Sequence, residues 1–181
     1  MYQGNKVRLR AYRQQDIENV LRQVNDYDSV RMSASGVILP ATYDDEMRWI
    51  SQQTSMGHGE YQFAIETLDE QYVGGCGIHK VDWKNRVGQV GILIGNPNLR
   101  GHGFGSDAIR TLCRVGFGEM NMNKLALTVM AENEAAIRCY SACGFQIEGR
   151  LRKEVWREGL YHDLVAMGLL ADEWRRGSSA I

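Results

Sequence analysis

The stretch Arg100-Gly101-His102-Gly103-Phe104-Gly105-Ser106 lies between a predicted strand and a long predicted helix. The first N–H groups of a helix have no partner inside it, and the helix dipole makes that end electropositive. Glycines let the backbone approach a ligand and adopt positive φ, so several N–H groups can converge on one anion. The stretch therefore predicts a phosphate or pyrophosphate site, to which Arg100 adds a charge and Ser106 a hydroxyl. The alternative is that the glycines only form a tight strand-to-helix turn.

Two common phosphate-binding motifs do not match this loop. The dinucleotide fingerprint G-x-G-x-x-G fits at Gly101 and Gly103, but Ser106 stands where its third glycine belongs. A P-loop requires Gly-Lys-Ser/Thr after four spacer residues, and the loop has no such lysine. Both motifs are excluded, which leaves the pattern R-x-x-G-x-G at Arg100, Gly103 and Gly105.

Hydrophobic periodicity on either side of the loop predicts the rest of the fold. Alternating or apolar runs predict strands around 7–9, 61–67, 72–81, 86–95, 125–129, 145–156 and 160–170. Helical spacing predicts helices around 17–24, 43–53, 105–120 and 133–144, the last between an N-cap at Asn133 and a C′ glycine at Gly144. Residues 25–40 are polar and irregular, and 177–181 are expected to form a flexible tail.

The order of these elements predicts the architecture. Neighbouring strands joined by short turns must be antiparallel, whereas the strand–helix–strand unit through the loop is most economically parallel and right-handed. We therefore expect one domain over 1–176 with an α+β (mixed α/β) fold. Its mostly antiparallel, twisted sheet would have about seven strands, a central parallel pair and about four helices.

The composition is that of an ordinary globular domain. The 181 residues are 44% hydrophobic, and 21 basic residues nearly balance 22 acidic ones. This balance gives no reason to expect nucleic acid or a membrane surface as a partner. No apolar run approaches the ~20 residues of a membrane span, and the first residues lack the apolar core of a secretory signal. We therefore expect a cytoplasmic protein.

The four cysteines follow neither a disulfide framework nor paired zinc-ligand spacing. Cys76 and Cys113 fall on apolar segments. Cys139 and Cys143 are four residues apart on a predicted helix and could hold two metal ligands, but no second pair accompanies them. We expect small buried thiols and no metal.

Two segments carry a resemblance to a known family. The pattern at Arg100–Gly105 resembles the signature Q/R-x-x-G-x-G/A of the GNAT superfamily, the general N-acetyltransferases. Asn133-Glu134-Ala135-Ala136-Ile137-Arg138-Cys139-Tyr140, followed by Gly144-Phe145, is similar to the family's Asn-x-x-Ala-x-x-x-Tyr…Gly-Phe segment. Residues 148–152 and 159–163 resemble the branch that contains ribosomal-protein N-terminal acetyltransferases and spermidine N-acetyltransferases. The resemblance covers nearly the whole chain and implies an acetyl-CoA-dependent N-acetyltransferase.

The resemblance also implies a cofactor site. The strand end at 93–95 would offer backbone groups to the pantetheine arm, and the N–H groups from 102 to 106 would hold the pyrophosphate. The Asn133 side chain would contact the pantetheine, although it can also simply cap its helix. The implied acetyl-CoA residues are Leu93, Ile94, Gly95, Arg100, Gly101, His102, Gly103, Phe104, Gly105, Ser106 and Asn133.

Tyr140 is the candidate catalytic acid. In the family the amine attacks the thioester directly, without a metal, and a backbone N–H of the central strand, here around 92–94, meets the developing oxygen charge. A phenol of pKa about 10 can protonate a thiolate whose thiol has a pKa of about 8.5. The helical spacing of Tyr140 is equally typical of a core aromatic, and only the family resemblance favours the acid.

The base and the acceptor are less defined. Related sequences often carry Glu where this chain has Gln89, and glutamine cannot take up a proton. The alternatives are a water chain or one of the more distant groups Glu60, His79 and Asp82, each of which can also be an ordinary surface group.

Acidic residues flank the irregular early segment where such enzymes build their acceptor site. Asp26, Asp28 and Glu46 would suit a polyamine, a protein N-terminus or another small amine, although acids beside helix starts are also ordinary capping groups. The missing carboxylate at Gln89 also leaves open a non-catalytic acetyl-CoA sensor or interaction module. Relatives often pair through sheet edges, so a homodimer or higher homo-oligomer is a candidate assembly.

Overall fold

A computed structural model of the chain, which describes residues 2–32, 36–53 and 60–178, is built on one eight-stranded sheet. Its strands are Tyr2–Gln3 (β1), Val7–Arg10 (β2), Tyr61–Thr67 (β3), Tyr72–Asp82 (β4), Val87–Leu93 (β5), Lys124–Met130 (β6), Gln146–Arg157 (β7) and Leu160–Leu170 (β8). The α-helices in the described residues are Ile17–Val24 (α1), Tyr27–Val30 (α2), Tyr43–Gln53 (α3), Phe104–Arg114 (α4), Glu134–Ala142 (α5) and Ala171–Ser178 (α6).

The strand order is β1-β2-β3-β4-β5-β6-β8-β7, and every neighbouring pair is antiparallel except β5 with β6. The predicted mixed sheet and its parallel pair are confirmed. The strand beyond the expected number is the two-residue β1, which is too short to show periodicity. None of the helices in the described residues is long and apolar enough to cross a membrane.

Two helices lie where the sequence predicts none. The single turn of α2 falls inside the stretch expected to be irregular, and four residues are too few to display helical spacing. Helix α6 follows the last strand, with Asp172 and Glu173 in its first turn and Arg175 and Arg176 in its last, a charge order that favours a helix. It includes Gly177 and Ser178, the first two residues of the expected flexible tail at 177–181. Residues 179–181 lie outside the described residues.

The larger core lies between the sheet and α4. Ala108, Ile109, Leu112 and Cys113 on that helix are fully buried, and they pack in one cluster with strand residues such as Ile78. Burying the Ile109 and Leu112 side chains contributes about 1.5–3 kcal/mol each. The apolar stripe of α4 therefore fixes this helix, and the loop before it, against the sheet.

A smaller core holds α1 and α3 near β3, in a cluster that includes Tyr12, Ile17, Val20, Ile50 and Ala64. A buried ionic cluster anchors the start of α1. The Arg10 guanidinium donates to both carboxylate oxygens of Asp16, at 2.7 and 2.8 Å, and to Glu66 at 2.6 Å. Because removing one member of a buried ion pair typically costs about 3–5 kcal/mol, this cluster holds α1 firmly beside the sheet.

Candidate active site

The parallel strands β5 and β6 separate in the middle of the sheet. Their pairing runs from Val87↔Lys124 to Gln89↔Ala126 and ends there. Beyond that point the strands form opposite walls of a cavity of about 220 Å³, which we call the splay cavity. Tyr140 of α5 also lines it. Backbone groups of β5 that would otherwise bond to a neighbouring strand can therefore face a ligand.

A groove of about 550 Å³ continues from the splay cavity along the end of β5, between the glycine loop and α5. We call it the loop groove. Of the residues predicted to bind the cofactor, those that line it are Leu93, Ile94, Arg100, Gly101, Gly103, Gly105, Ser106 and Asn133. The remaining three, Gly95, His102 and Phe104, lie beside this lining rather than in it.

The loop has the backbone conformation that its glycines predict. Gly101 and Gly103 have φ of 78° and 82°, and Gly103 is the N-cap of α4. Both values are in the left-handed region, where a side chain is unfavourable. The N-terminus of α4 is thus open toward the groove, as an anion site requires.

Asn133 and Tyr140 bring α5 to the junction of the two cavities. The Asn133 carboxamide oxygen accepts from the Ala136 N–H at 3.1 Å, so its predicted capping role is confirmed, and the residue lines both cavities. Tyr140 is 6% exposed and stacks edge-on against Phe145, with ring centroids 5.7 Å apart. Burial raises the pKa of the Tyr140 phenol well above its usual range. The phenol is protonated at neutral pH, as a proton donor must be, but the raised pKa also makes it a weaker acid than a free tyrosine.

A third cavity, of about 350 Å³, lies between the sheet and helices α1 and α3. Tyr12, Trp49 and Tyr72 line it, and we call it the aromatic pocket. It shares His79, Gly91 and Ile92 with the splay cavity. The loop groove, the splay cavity and the aromatic pocket therefore adjoin one another along the end of β5.

Comparison with known proteins identifies the family. The acetyltransferase (GNAT) domain matches residues 6–146, most of the chain. The chain belongs to the GNAT family of acetyltransferases. The resemblance based on Arg100–Gly105 and Asn133–Tyr140 is thereby confirmed, and N-acetyltransferases are among the relatives of this GNAT chain.

Two curated relatives and one solved structure illustrate the similarity. The SPbeta prophage-derived N-acetyltransferase YokL of Bacillus subtilis is 28% identical over 171 residues, 94% of this chain and 93% of that protein. The spermidine N(1)-acetyltransferase of Vibrio cholerae is 27% identical over 130 residues, 72% of this chain and 75% of that protein. A crystal structure of Vibrio cholerae spermidine N-acetyltransferase in complex with CoA and spermine matches with a TM-score of 0.84 and 23% identity, over 93% of this chain and 98% of that one.

Arg100 is bound to the strand end of this GNAT domain. Its guanidinium donates to the carbonyls of Ile94 and Gly95 and to the Ser29 hydroxyl, each at 3.0 Å. Gln23 donates to the preceding carbonyl, that of Leu93, at 2.9 Å. Three successive carbonyls of this segment thus accept from side chains. A contact between Arg100 and pyrophosphate remains a prediction.

Two residues near the loop were missed by sequence reasoning. The buried Asp107 carboxylate accepts from the backbone N–H groups of Asn5, Lys6 and Val7, at 3.1, 2.7 and 3.0 Å. The Lys6 ammonium donates to the His102 carbonyl at 2.9 Å, which places a cation beside the loop. An acid in a first helical turn is common, so Asp107 carried no distinctive signal, and Lys6 lies almost a hundred residues away in sequence.

Of the candidate bases, the structure brings His79 to the site. It lines both the splay cavity and the aromatic pocket, opposite Gln89 in the sheet. Burial lowers the pKa of His79, which favours the neutral imidazole that a base requires. Asp82 instead accepts from the backbone and side chain of Asn85 in the following turn, and Glu60 lies outside the lining of the three cavities.

The three acids predicted to bind the acceptor are separated. Glu46 lines the aromatic pocket. Asp26 accepts from the Ser29 hydroxyl, and Asp28 forms a 3.1 Å ion pair with Arg31 at the edge of the loop groove. Because local partners hold Asp26 and Asp28 on the α2 side, only Glu46 reaches the pocket between α1 and α3.

The two neighbouring thiols differ in position. Cys143 is buried as expected, but Cys139 is half-buried and lines the loop groove, with its Sγ 3.3 Å from the Ser106 hydroxyl. Hydrogen bonds from Cys143 and Ser106 lower the pKa of the Cys139 thiol. Within the parts of the chain that the structure describes, no three His, Cys, Asp or Glu side chains are arranged to hold a metal ion.

Proposed function

We propose that this chain transfers the acetyl group of acetyl-CoA to a primary amine, which attacks the thioester directly in a ternary complex. The observation that carries the proposal is the row of three adjoining cavities. Asn133 joins the loop groove to the splay cavity, His79 joins the splay cavity to the aromatic pocket, and Tyr140 lies between them. Two reactants that enter from opposite ends would meet beside Tyr140.

The donor fits the loop groove by charge and shape. The N–H groups from His102 to Ser106, at the start of α4, would hold the pyrophosphate, and Lys6 supplies a nearby positive charge. The pantetheine would run along the strand end at 93–95, whose carbonyls already have partners. Asn133 lies opposite that edge and would contact the pantetheine. This course would deliver the thioester to the splay cavity. The Vibrio cholerae enzyme, which was crystallised with CoA, supports the choice of donor.

Two side chains of the protein, Tyr140 and His79, would transfer the protons of the reaction. The neutral amine nitrogen attacks the thioester carbonyl, and a β5 backbone N–H around 92–94 stabilises the negative oxygen. The C–S bond then breaks, and the thiolate takes the proton of Tyr140, which solvent restores. The amine's proton leaves through His79, directly or by a water, since Gln89 cannot accept it.

The acceptor class follows from the relatives and from the pocket. Spermidine N-acetyltransferases among the relatives make a polyamine the first acceptor to assay, followed by a peptide N-terminus. The Glu46 carboxylate in the aromatic pocket suits a cationic substrate.

Replacing the phenol tests the proposal. Tyr140→Phe removes the proton donor, so we expect kcat to fall about 10²- to 10⁴-fold, the usual contribution of a general acid. Acetyl-CoA affinity, measured by calorimetry, should be unchanged. The control is Tyr161→Phe, a substitution at a tyrosine that is 60% exposed on the β7–β8 hairpin. Turnover is followed by thiol release.

Two results would contradict the proposal. Wild-type turnover in Tyr140→Phe would remove Tyr140 from the mechanism. Acetyl-CoA binding with no thiol release across polyamines, peptides and small amines would instead support a sensor of the same fold.

A further inference from the structure

Two thiols at the end of α5 meet the first turn of α4 at the wall of the loop groove. Cys139 and Cys143 lie four residues apart, about one helical turn, and both contact Ser106. The Cys139 Sγ lies 3.3 Å from the Ser106 hydroxyl oxygen, and the Cys143 thiol donates to the Ser106 carbonyl at 3.4 Å. The acetyl transfer proposed above gives neither sulfur a role.

The four cysteines, all within the described residues, differ in access. Cys139 is half-buried and lines the loop groove, whereas Cys76, Cys113 and Cys143 are buried. A Cβ built at Gly105 would lie 3.7 Å from the Cys139 Sγ, so the first turn of α4 covers the sulfur on that side. The groove is therefore the side from which a small reagent reaches Cys139.

The surroundings of Cys139 favour its thiolate. When this thiol is ionised, the Cys143 proton can turn to it from the Ser106 carbonyl, and the Ser106 hydroxyl can donate as well. Ser106 also lies in the first turn of α4, where the helix dipole stabilises an anion. One turn further along, the Arg110 guanidinium donates to the Ala142 carbonyl at 2.9 Å and adds a nearby cation. The hydrogen bond from Cys143, then that from Ser106, lowers the pKa of Cys139, which raises its share of thiolate at neutral pH.

We propose that Cys139 is an oxidation site, at which hydrogen peroxide forms a sulfenic acid that weakens acetyl-CoA binding. The Cys139 thiolate attacks one peroxide oxygen, an S–O bond forms and the O–O bond breaks. Hydroxide leaves and takes a proton from solvent, so the sulfur is oxidised by two electrons and the second peroxide oxygen ends as water. The added oxygen would lie in the loop groove beside the first N–H groups of α4. The effect on the cofactor rests on the acetyl-CoA site proposed above, whereas the oxidation does not.

Oxidation is measured on the full chain with hydrogen peroxide, and dimedone traps the sulfenic acid for peptide mass spectrometry. We expect labelling of Cys139 to exceed that of Cys76 and Cys113 about tenfold or more, since burial raises the pKa of those two thiols and shields them. They are internal controls in the same digest. Saturating acetyl-CoA should slow the labelling several-fold, because the cofactor would cover the groove.

Two variants at Cys143 test the hydrogen bond to the thiolate. Cys143→Ala removes the donor and should slow labelling of Cys139 several-fold. Cys143→Ser keeps a donor at the same position and should restore most of the rate. A merely structural role of Cys143 would leave the two variants equal.

Calorimetry before and after peroxide treatment measures the effect on the cofactor. Acetyl-CoA affinity should fall about tenfold after oxidation and return when dithiothreitol reduces the sulfenic acid. The control is Cys139→Ser, which has no sulfur at this position, so peroxide treatment should leave its acetyl-CoA affinity unchanged. A loss of affinity in that variant would assign the effect to another residue.

Two further results would overturn the proposal. Labelling of Cys139 no greater than that of the buried cysteines would show that the groove does not activate this thiol. Labelling with an unchanged acetyl-CoA affinity would show that the oxidised sulfur does not affect the cofactor. Failure of the proposed acetyl-CoA site is distinguishable, because the untreated protein would then not bind acetyl-CoA, while Cys139 would still react with peroxide.

Discussion

Two sets of glycines build this site, and they do so for different reasons. Gly101 and Gly103 in the loop have φ of 78° and 82°, so glycine is favoured there because it adopts this backbone conformation without strain. Gly75 and Gly77 of β4 and Gly91 of β5 lie in extended strands on the face that carries the aromatic pocket. Glycine is needed at these positions because there is little room for a side chain. A Cβ at Gly75, for example, would lie 2.1 Å from the Tyr12 hydroxyl oxygen.

The difference predicts which ligand each set controls. The loop glycines shape the start of α4 and should affect acetyl-CoA. The strand glycines let Tyr12, Gln62 and His79 lie against the sheet and should affect the acceptor amine. Alanine substitutions at one set at a time test this division of roles.

Gly75→Ala should have the largest effect. The added methyl group cannot fit against the rigid Tyr12 ring, and such overpacking typically costs about 1–3 kcal/mol. We expect this loss of unfolding free energy in urea titrations, with KM for the amine raised about tenfold and acetyl-CoA affinity little changed. Gly149→Ala is the control, because nothing lies within 4 Å of a Cβ there. Weakened acetyl-CoA binding with a normal amine KM would contradict the division of roles.

Gly103→Ala should have the next largest effect, on the other ligand. A non-glycine residue at φ of 82° costs about 1–2 kcal/mol, and the new Cβ would lie 3.2 Å from the Lys6 ammonium. If the backbone relaxes and one N–H contact to the pyrophosphate is lost, acetyl-CoA affinity should fall about tenfold.

Gly101→Ala separates the two causes in the loop, since it has φ of 78° with open space around it and thus reports backbone strain alone. Calorimetry with acetyl-CoA measures both variants. Equal affinity losses in the two would show that the contact with Lys6 contributes nothing.

Gly91→Ala should have the smallest effect. Its Cβ would lie 3.2 Å from the His79 ring, which can shift by a few tenths of an ångström, so stability should change by less than about 1 kcal/mol. We expect kcat/KM for the amine to fall a few-fold, because His79 takes the proton of the amine in the proposed mechanism. Steady-state assays in which the amine and acetyl-CoA are varied in turn measure this loss, and a change confined to KM for acetyl-CoA would contradict it.

The same comparison explains what the sequence could predict. The loop and the α5 segment are contiguous motifs, so Gly103, Asn133 and Tyr140 could be singled out through the family resemblance, and the order of the elements predicted the parallel pairing of β5 with β6. The aromatic pocket joins Tyr12, Trp49 and Tyr72, which come from different elements and meet only through strand register and helix packing. In the sequence, the alternate glycines of β4 resemble a weak strand rather than the floor of a pocket.

The remaining discrepancies have similar causes. Asp26 and Asp28 flank the same irregular segment as Glu46, and nothing in their spacing shows that α2 turns them toward local partners. Cys139 falls on a helix face that periodicity cannot distinguish from the core. Local partners in α2 decided the positions of Asp26 and Asp28, and the packing of α5 beside the loop decided that of Cys139.

The Asp107 carboxylate influences which parts of the protein unfold together. By accepting from three consecutive N–H groups at 5–7, it joins the first segment of the chain to the first turn of α4. Residues a hundred positions apart therefore belong to one cooperative unit of local unfolding. A ligand that stabilises the start of α4 should also slow amide hydrogen exchange at Asn5, Lys6 and Val7, although it touches none of those amides.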